Sequence, residues 1–145
     1  MSHLYYVMVK YHNITFKALI DSGAQISIIS RHMLQKLGLH TNLQTIGYVH
    51  GINGKDKMMG HVDCHINLIS HHLIPVHVQF TVILHSRLII LGLDFLEKYQ
   101  CLIDCHHKTL NIQHHKIPLY NKEHKLLTKN TKQFLIKNKL PLKSV

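Results

Sequence analysis

Apolar and polar residues alternate with a period of two over much of the chain. Val62, Cys64, Ile66 and Leu68 fall on one face against His61, Asp63, His65 and Asn67, and Val76, Val78, Phe80 and Val82 stand opposite His77, Gln79 and Thr81. A β-strand sends successive side chains to opposite faces, so both segments predict half-buried strands. The connection Ser70-His71-His72-Leu73 is short, which predicts an antiparallel pair, and Pro75 sits at the start of the second strand, where its missing N–H does least harm. From Tyr5 to about Gln113 short β-type runs recur between Gly, Asn, Asp or Ser, while sustained helical periodicity is scarce. A mainly β domain is predicted.

Asn53-Gly54, set between Ile46–Gly51 and Lys57–Val62, has the residue types of a two-residue hairpin turn, whose central positions need positive φ. It predicts a projecting hairpin with glycines at its base and tip. Two short helices fit the remaining pattern. Ser30 caps Arg31 to Leu37, with Gly38 placed to end the helix in a left-handed conformation. Leu93 to Tyr99 follows Gly92, with Leu93, Leu96 and Tyr99 on one side. Cys101 to Asp104 and Thr109 to Ile112 then read as paired strands around Cys105-His106-His107-Lys108. After Pro118 the pattern degrades; Leu126, Leu127, Phe134 and Leu135 make either one stripe of a marginal helix or part of a flexible tail.

A chain of 145 residues has room for one compact domain and excludes a bilobed enzyme. Its apolar runs are too short to span a membrane. The formal charge of +10 would point to nucleic acid, but it is unevenly placed. Residues 1–115 carry nine Lys or Arg against six Asp or Glu, whereas residues 116–145 carry eight Lys against Glu123 alone. The reading is therefore a folded domain over 1–115 and a Lys-rich tail or linker over 116–145. Three cysteines cannot pair completely, so Cys64, Cys101 and Cys105 read as packed thiols in a reducing compartment. The first residues lack the basic start and apolar centre of a secretory signal, which reads as an intracellular protein or a piece of a longer polyprotein.

The chemistry concentrates in Ala18-Leu19-Ile20-Asp21-Ser22-Gly23-Ala24-Gln25-Ile26-Ser27-Ile28-Ile29-Ser30, where a lone carboxylate stands between two apolar runs. Such a position exposes Asp21 to desolvation, while Ser22 supplies a hydroxyl and Gly23 lets backbone N–H groups come close. Asp-Ser-Gly by itself is ordinary turn chemistry, and the apolar flanks argue against that reading. With these flanks, and with Lys36-Leu37-Gly38-Leu39 following, the segment resembles the active-site strand and next helix of retropepsin-like aspartic proteases. Leu88-Ile89-Ile90-Leu91-Gly92-Leu93-Asp94-Phe95-Leu96 is similar to the apolar-apolar-glycine segment and C-terminal helix of the same family. The two motifs stand in the family's order, and the predicted hairpin lies between them where the family has its flap. Within the family the look is of Ddi1-like proteins and of LTR-retrotransposon or retroviral-type proteases, with Leu93 where many retroviral proteases carry Arg.

The resemblance implies a retropepsin-like fold, a single-lobe closed β-barrel with a flap hairpin and one short C-terminal helix, active as a homodimer. Because the chain has a single Asp-Ser-Gly, Asp21 and its symmetry mate would meet on a two-fold axis and share one proton. Ser22 would bond across the dimer, and Gly23 would turn its N–H to the carboxylates. Gly51, Ile52, Asn53 and Gly54 would close over an extended peptide, with Ala24, Val49 and Ile90 as apolar walls. The implied activity is an aspartic endopeptidase without a cofactor, highest in rate at acidic to near-neutral pH where the pair holds one proton, serving retroelement or viral polyprotein processing or a domesticated derivative of it. A virus-like particle is then a second possible location. The alternative is a catalytically silent dimer acting as a binding module, its basic tail on nucleic acid through phosphates or on an acidic partner. Cys101, Cys105, His106 and His107 are spaced poorly for zinc, so no metal is assigned.

Overall fold

The computed structural model describes residues 4–51 and 54–123. Its first hairpin joins β1 (Tyr5–Tyr11) to β2 (Ile14–Ile20), antiparallel from Tyr5↔Ile20 to Tyr11↔Ile14. A loop leads to β3 (Ile28–Ser30) and α1 (Arg31–Lys36). Next come β4 (Gly47–Gly51) and the long β5 (Gly54–Ile69), then β6 (Leu73–Ile83), β7 (Ile89–Leu91) and α2 (Leu93–Lys98). Three short strands follow, β8 (Leu102–Asp104), β9 (Thr109–Ile112) and β10 (His115–Pro118), which form a sheet of their own in the order β10-β9-β8.

Six strands close into a barrel in the order β1-β2-β7-β3-β6-β5, with β5 returning to β1 through Val9↔Leu68 and Lys10↔Asn67. The alternation in the sequence explains the closure. Cys64↔Val78 and Ile66↔Val76 pair across β5 and β6 with all four side chains buried, leaving His65 exposed on the other face. They join Val7, Val9, Ala18, Ile29, Phe80 and Leu91 in the core. Burying each such side chain contributes about 1.5 to 3 kcal/mol. The far half of β5 leaves the barrel and carries β4 alone, which gives the projecting hairpin.

The local signals for α1 hold. Ser30 is its N-cap and accepts from the Met33 N–H at 3.1 Å, and Gly38 follows the helix with φ 70°. Three expectations change. Gly51 pairs with Gly54, so Gly54 opens β5 instead of lying in the connection, which falls to residues 52 and 53, outside those described. On α2 the buried residues are Phe95 and Leu96, with Leu93 and Tyr99 only half-buried: a helix of two turns has too little periodicity to fix its face. Of the three free cysteines Cys64 is buried, Cys101 is half-buried and Cys105 is exposed.

The expected boundary after residue 115 also moves, because it falls inside β10. Ile117, Leu119 and Tyr120 are fully buried, and Tyr120 exchanges two backbone hydrogen bonds with Tyr6, at 2.8 and 3.0 Å. Tyr6, Met8, Leu19, Ile69 and Tyr120 form a second apolar cluster there. The fold thus continues through Tyr120, and the proposed helical stripe at 126–135 lies outside the described residues. A chain ending after Glu123 is expected to keep the parent's cooperative melt, whereas one ending after His115 is expected not to fold. Loss of three fully buried side chains removes about 5 kcal/mol or more, comparable to the whole stability of a small domain. Thermal melts followed by circular dichroism check this, and equal melting of the two chains would remove 116–120 from the domain.

Candidate active site

Asp21 is the first residue after β2, and its backbone is held by the neighbouring strand: its N–H donates to the Leu91 carbonyl at 3.1 Å, continuing the Ile20↔Leu91 pairing. The chain then turns tightly. Asp21 Oδ1 accepts from the Gly23 N–H at 2.9 Å, and the Asp21 carbonyl accepts from Ala24 at 3.2 Å. A Cβ at residue 23 would stand 3.2 Å from that Oδ1, so glycine gives the carboxylate its close approach to the backbone. Asp21 and Ala24 are half-buried, while Ser22 and Gly23 are exposed. The barrel thus anchors the Asp21 backbone, and its half-buried carboxylate is held by the Gly23 N–H and open on the side of the exposed Ser22 and Gly23.

The rest of the loop is held by α2. Leu93 and Asp94 N–H groups donate to the carbonyls of Ala24, at 2.7 Å, and Gln25, at 3.2 Å. Gly92 passes so close that a Cβ there would lie 2.6 and 2.7 Å from the Ile26 and Ala24 carbonyl oxygens. Ser27 is fully buried, donating its hydroxyl to Asp94 Oδ1 at 2.7 Å and its N–H to Asp94 Oδ2 at 3.1 Å, and accepting from the Gly92 N–H at 3.0 Å. Asp94, in the first turn of α2, therefore clamps the loop to the helix as well as accepting from the Phe95 N–H at 2.7 Å. Sequence reasoning missed Ser27; its one signal was a hydroxyl inside the apolar run Ile26-Ser27-Ile28-Ile29. Asp94→Ala is expected to lower stability by about 2 to 3 kcal/mol, because it leaves the buried Ser27 donors unmade. Urea unfolding measures it, and an unchanged midpoint would deny the clamp its weight.

The other candidate positions divide between barrel and hairpin. Ile90 pairs with Leu19 on one side and Ile28 on the other, and its half-buried side chain packs on the cluster of Tyr6, Leu19 and Tyr120. Val49, half-buried, lies in β4 opposite Asp56, and Gly51 and Gly54 face each other at the end of the hairpin. Ile52 and Asn53 lie outside the described residues. Asp21, Ser22, Gly23 and Ala24 thus share one loop next to the strand of Ile90, and residues 84–91 connect that floor to the hairpin.

The cluster weighed for metal is a locked turn. Asp104 Oδ1 accepts from the His106 and His107 N–H groups at 3.0 and 2.9 Å, and Oδ2 lies 2.8 Å from His107 Nδ1. The hydrogen bonds from His107 hold the Asp104 carboxyl down at about 2. Burial pushes the Cys64 and Cys101 thiols up to about 11, which keeps them protonated packing groups. Among the described residues no group of three or more His, Cys, Asp or Glu is placed to hold a metal ion, and no helix is long and apolar enough to cross a membrane.

A six-stranded barrel whose Asp-Ser-Gly loop is braced by the helix after a second apolar-glycine motif, with a hairpin projecting from it, defines a retropepsin-like protease domain. Residues 1–104 match the family model of aspartyl proteases, and the chain belongs to that family. It is 30% identical over 115 residues to DNA damage-inducible protein 1 of Kluyveromyces lactis, covering 78% of this chain and 27% of the relative. To Protein DNA-DAMAGE INDUCIBLE 1 of Arabidopsis thaliana it is 29% identical over 110 residues, 74% of this chain and 26% of that one. The chain therefore spans about a quarter of the length of the curated relatives it matches. Among solved structures, the retroviral protease-like domain of Ddi1 from Leishmania major aligns with a TM-score of 0.66 at 26% identity, covering 82% of this chain and 95% of that one.

Proposed function

We propose that this domain is an aspartic endopeptidase that works as a homodimer. The observation that carries the reading is the Asp21 carboxylate, fixed by the Gly23 N–H at 2.9 Å, half-buried and open to one side, in a chain with a single Asp-Ser-Gly. One carboxylate cannot both take a proton from water and give one to a carbonyl, so a second copy supplies the partner. One Asp21 draws the proton from a water as its oxygen attacks the peptide carbonyl. The other, protonated, donates to the carbonyl oxygen to give a diol; the proton held by the first then goes to the leaving nitrogen as the C–N bond breaks, and a diol hydroxyl returns its proton to the second as the carbonyl re-forms. Products are a carboxylic acid and an amine. In this reading Ser22 bonds across the two-fold, and Gly51, Ile52, Asn53 and Gly54 cover an extended peptide whose side chains meet Ala24, Val49 and Ile90.

Dimerisation has physical support in the second sheet. Among the described residues β8 is an edge strand, and Leu102 on it is 69% exposed, the kind of apolar edge that another chain covers. The domain through Glu123 carries the activity, and the Lys-rich residues beyond it contribute salt-sensitive contacts to phosphates or acidic partners. The narrower reading, maturation of a retroelement or viral polyprotein or a domesticated form of that role, rests on family resemblance. A diverse peptide library incubated at pH 4 to 7, with the oligomeric state measured in parallel, tests the activity. Discrete cleavage by a dimer supports it, and a stable dimer that cuts nothing makes the domain a binding module.

A further inference from the structure

Asp56 stands where the hairpin parts from the barrel. Pairing of β5 with β6 ends at Met58↔Ile83, and one more backbone bond runs from the Leu84 N–H to the Lys57 carbonyl at 3.1 Å. Past that point β5 continues outward to Gly54, while residues 84–88 swing back to β7. The Asp56 side chain spans the gap. Its two oxygens each accept from the His85 N–H at 3.1 Å, Oδ2 accepts from Ser86 at 3.2 Å, and Oδ1 accepts from the Lys57 N–H at 2.8 Å. A carboxylate continues the ladder that the backbones have given up, and hydrogen bonds to an ionised acceptor are the stronger kind.

Both ends of this contact lead to the proposed chemistry. Asp56 lies across from Val49, so the tie holds both arms of the hairpin. The loop it grips is braced by Ser86 Oγ accepting from the Leu88 N–H at 3.1 Å, and the Leu88 carbonyl accepts from Ser30 at 3.2 Å. From there β7 runs to Leu91, whose carbonyl holds the Asp21 backbone. The flanking lysines are both exposed, and Lys55 Nζ lies 4.6 Å from the ring centre of Tyr48.

We propose that Asp56 is a positioning residue, a carboxylate clamp that ties the base of the hairpin to residues 84–88 and so limits how far its two arms separate from the barrel. The proposal rests on the reading of this hairpin as a cover for peptide substrate. With the clamp, both arms stay tied to the barrel at Asp56 and its cross-strand partner Val49. Without it, the hairpin is tied to residues 84–88 by the Leu84 to Lys57 backbone bond alone, the closed form is less populated, and substrate is held more weakly while the chemistry at Asp21 is unaltered.

Backbone amide hydrogen exchange on the full chain tests the clamp without any requirement for cleavage, using Asp56→Ala and the near-isosteric Asp56→Asn. Asn offers one acceptor and turns its own N–H₂ toward amide donors, so it fails where a role in packing alone would be preserved. The His85 and Ser86 amides are expected to exchange about tenfold faster or more in both variants, the order expected for loss of charge-assisted hydrogen bonds, with Val78 and Phe80 in the barrel unchanged. Unchanged exchange at His85 and Ser86 overturns the clamp. On a peptide the parent cleaves, KM is expected to rise several-fold with kcat within about twofold, and a fall in kcat at constant KM overturns the hinge role. Should the parent cleave nothing, the protease reading fails while the exchange result still decides the clamp.

Discussion

Asp21→Asn is expected to abolish peptide cleavage, with a loss of about a thousandfold or more in kcat/KM, while leaving the melting temperature close to the parent's. The size follows from what the amide removes: it can neither take a proton from water nor share one with its symmetry mate, and a positioned acid–base group contributes about 10² to 10⁴ in rate. Stability is spared because Asn keeps the oxygen that accepts from the Gly23 N–H at 2.9 Å. The same variant reports on the dimer. Mixed in equal amounts with parent and allowed to exchange subunits, it leaves about a quarter of the dimers with two aspartates, so activity per total protein should fall to about a quarter. A site complete within one chain would leave about half. Residual activity in the pure variant above a few per cent, reproduced after repurification, would remove Asp21 from the chemistry.

What could be read in the chain beforehand was what depends on neighbours in sequence. Alternation over Val62–Leu68 and Val76–Val82 specified two strands and their buried faces because the period of a strand is two and each run is long enough to show it. Ser30 and Gly38 marked the ends of α1 because capping acts within one turn. The Asp-Ser-Gly between apolar runs marked the candidate site. Contacts that join distant segments left no such trace. Ile117, in β10, and Tyr120, just past Pro118, sit in a Lys-rich stretch, and the burial of Tyr120 depends on Tyr6 near the other end of the chain. Asp94 satisfies helix-start statistics whether or not a serine lies opposite, so its bond to Ser27 was invisible. Asp56, between two lysines, reads as an ordinary solvated charge until the chain returns at His85 and Ser86. The turn register failed for a related reason: the pairing of β4 with β5, from Gly47↔Met58 to Gly51↔Gly54, sets it, and Asn53-Gly54 chemistry alone could not.

Gly92→Ala is expected to be the most damaging single methyl in the domain. The backbone at Gly92 is extended, with φ −93° and ψ −169°, a conformation alanine adopts freely, so the demand for glycine is one of space. The added Cβ would lie 2.6 to 2.8 Å from backbone atoms of Ala24 and Ile26, which no side-chain rotation can relieve. Relief requires moving the loop of residues 24–27, and that loop is held by Leu93 to Ala24, by Thr81 to the Ser27 carbonyl at 2.9 Å, and by Asp94. Overpacking against side chains costs about 1 to 3 kcal/mol; against a bonded backbone about 3 kcal/mol or more is expected, a large fraction of a small domain's stability. Gly38→Ala is the comparison: φ there is 70° but nothing stands within 4 Å, so the cost is conformational alone, about 1 kcal/mol. Urea unfolding of the two variants should rank Gly92→Ala well below Gly38→Ala, and its surviving folded fraction should show a shifted Gly23 amide, since the displaced loop begins at the Asp21 carboxylate. A reversed ranking with an unmoved Gly23 signal would mean that the loop yields at little cost and that Gly92 does not hold the Asp21 loop in place. The expected ranking gives this glycine a specific role. It lets α2 approach closely enough to lend its first-turn N–H groups and Asp94 to the loop, and that approach makes a lone aspartate after β2 a fixed group.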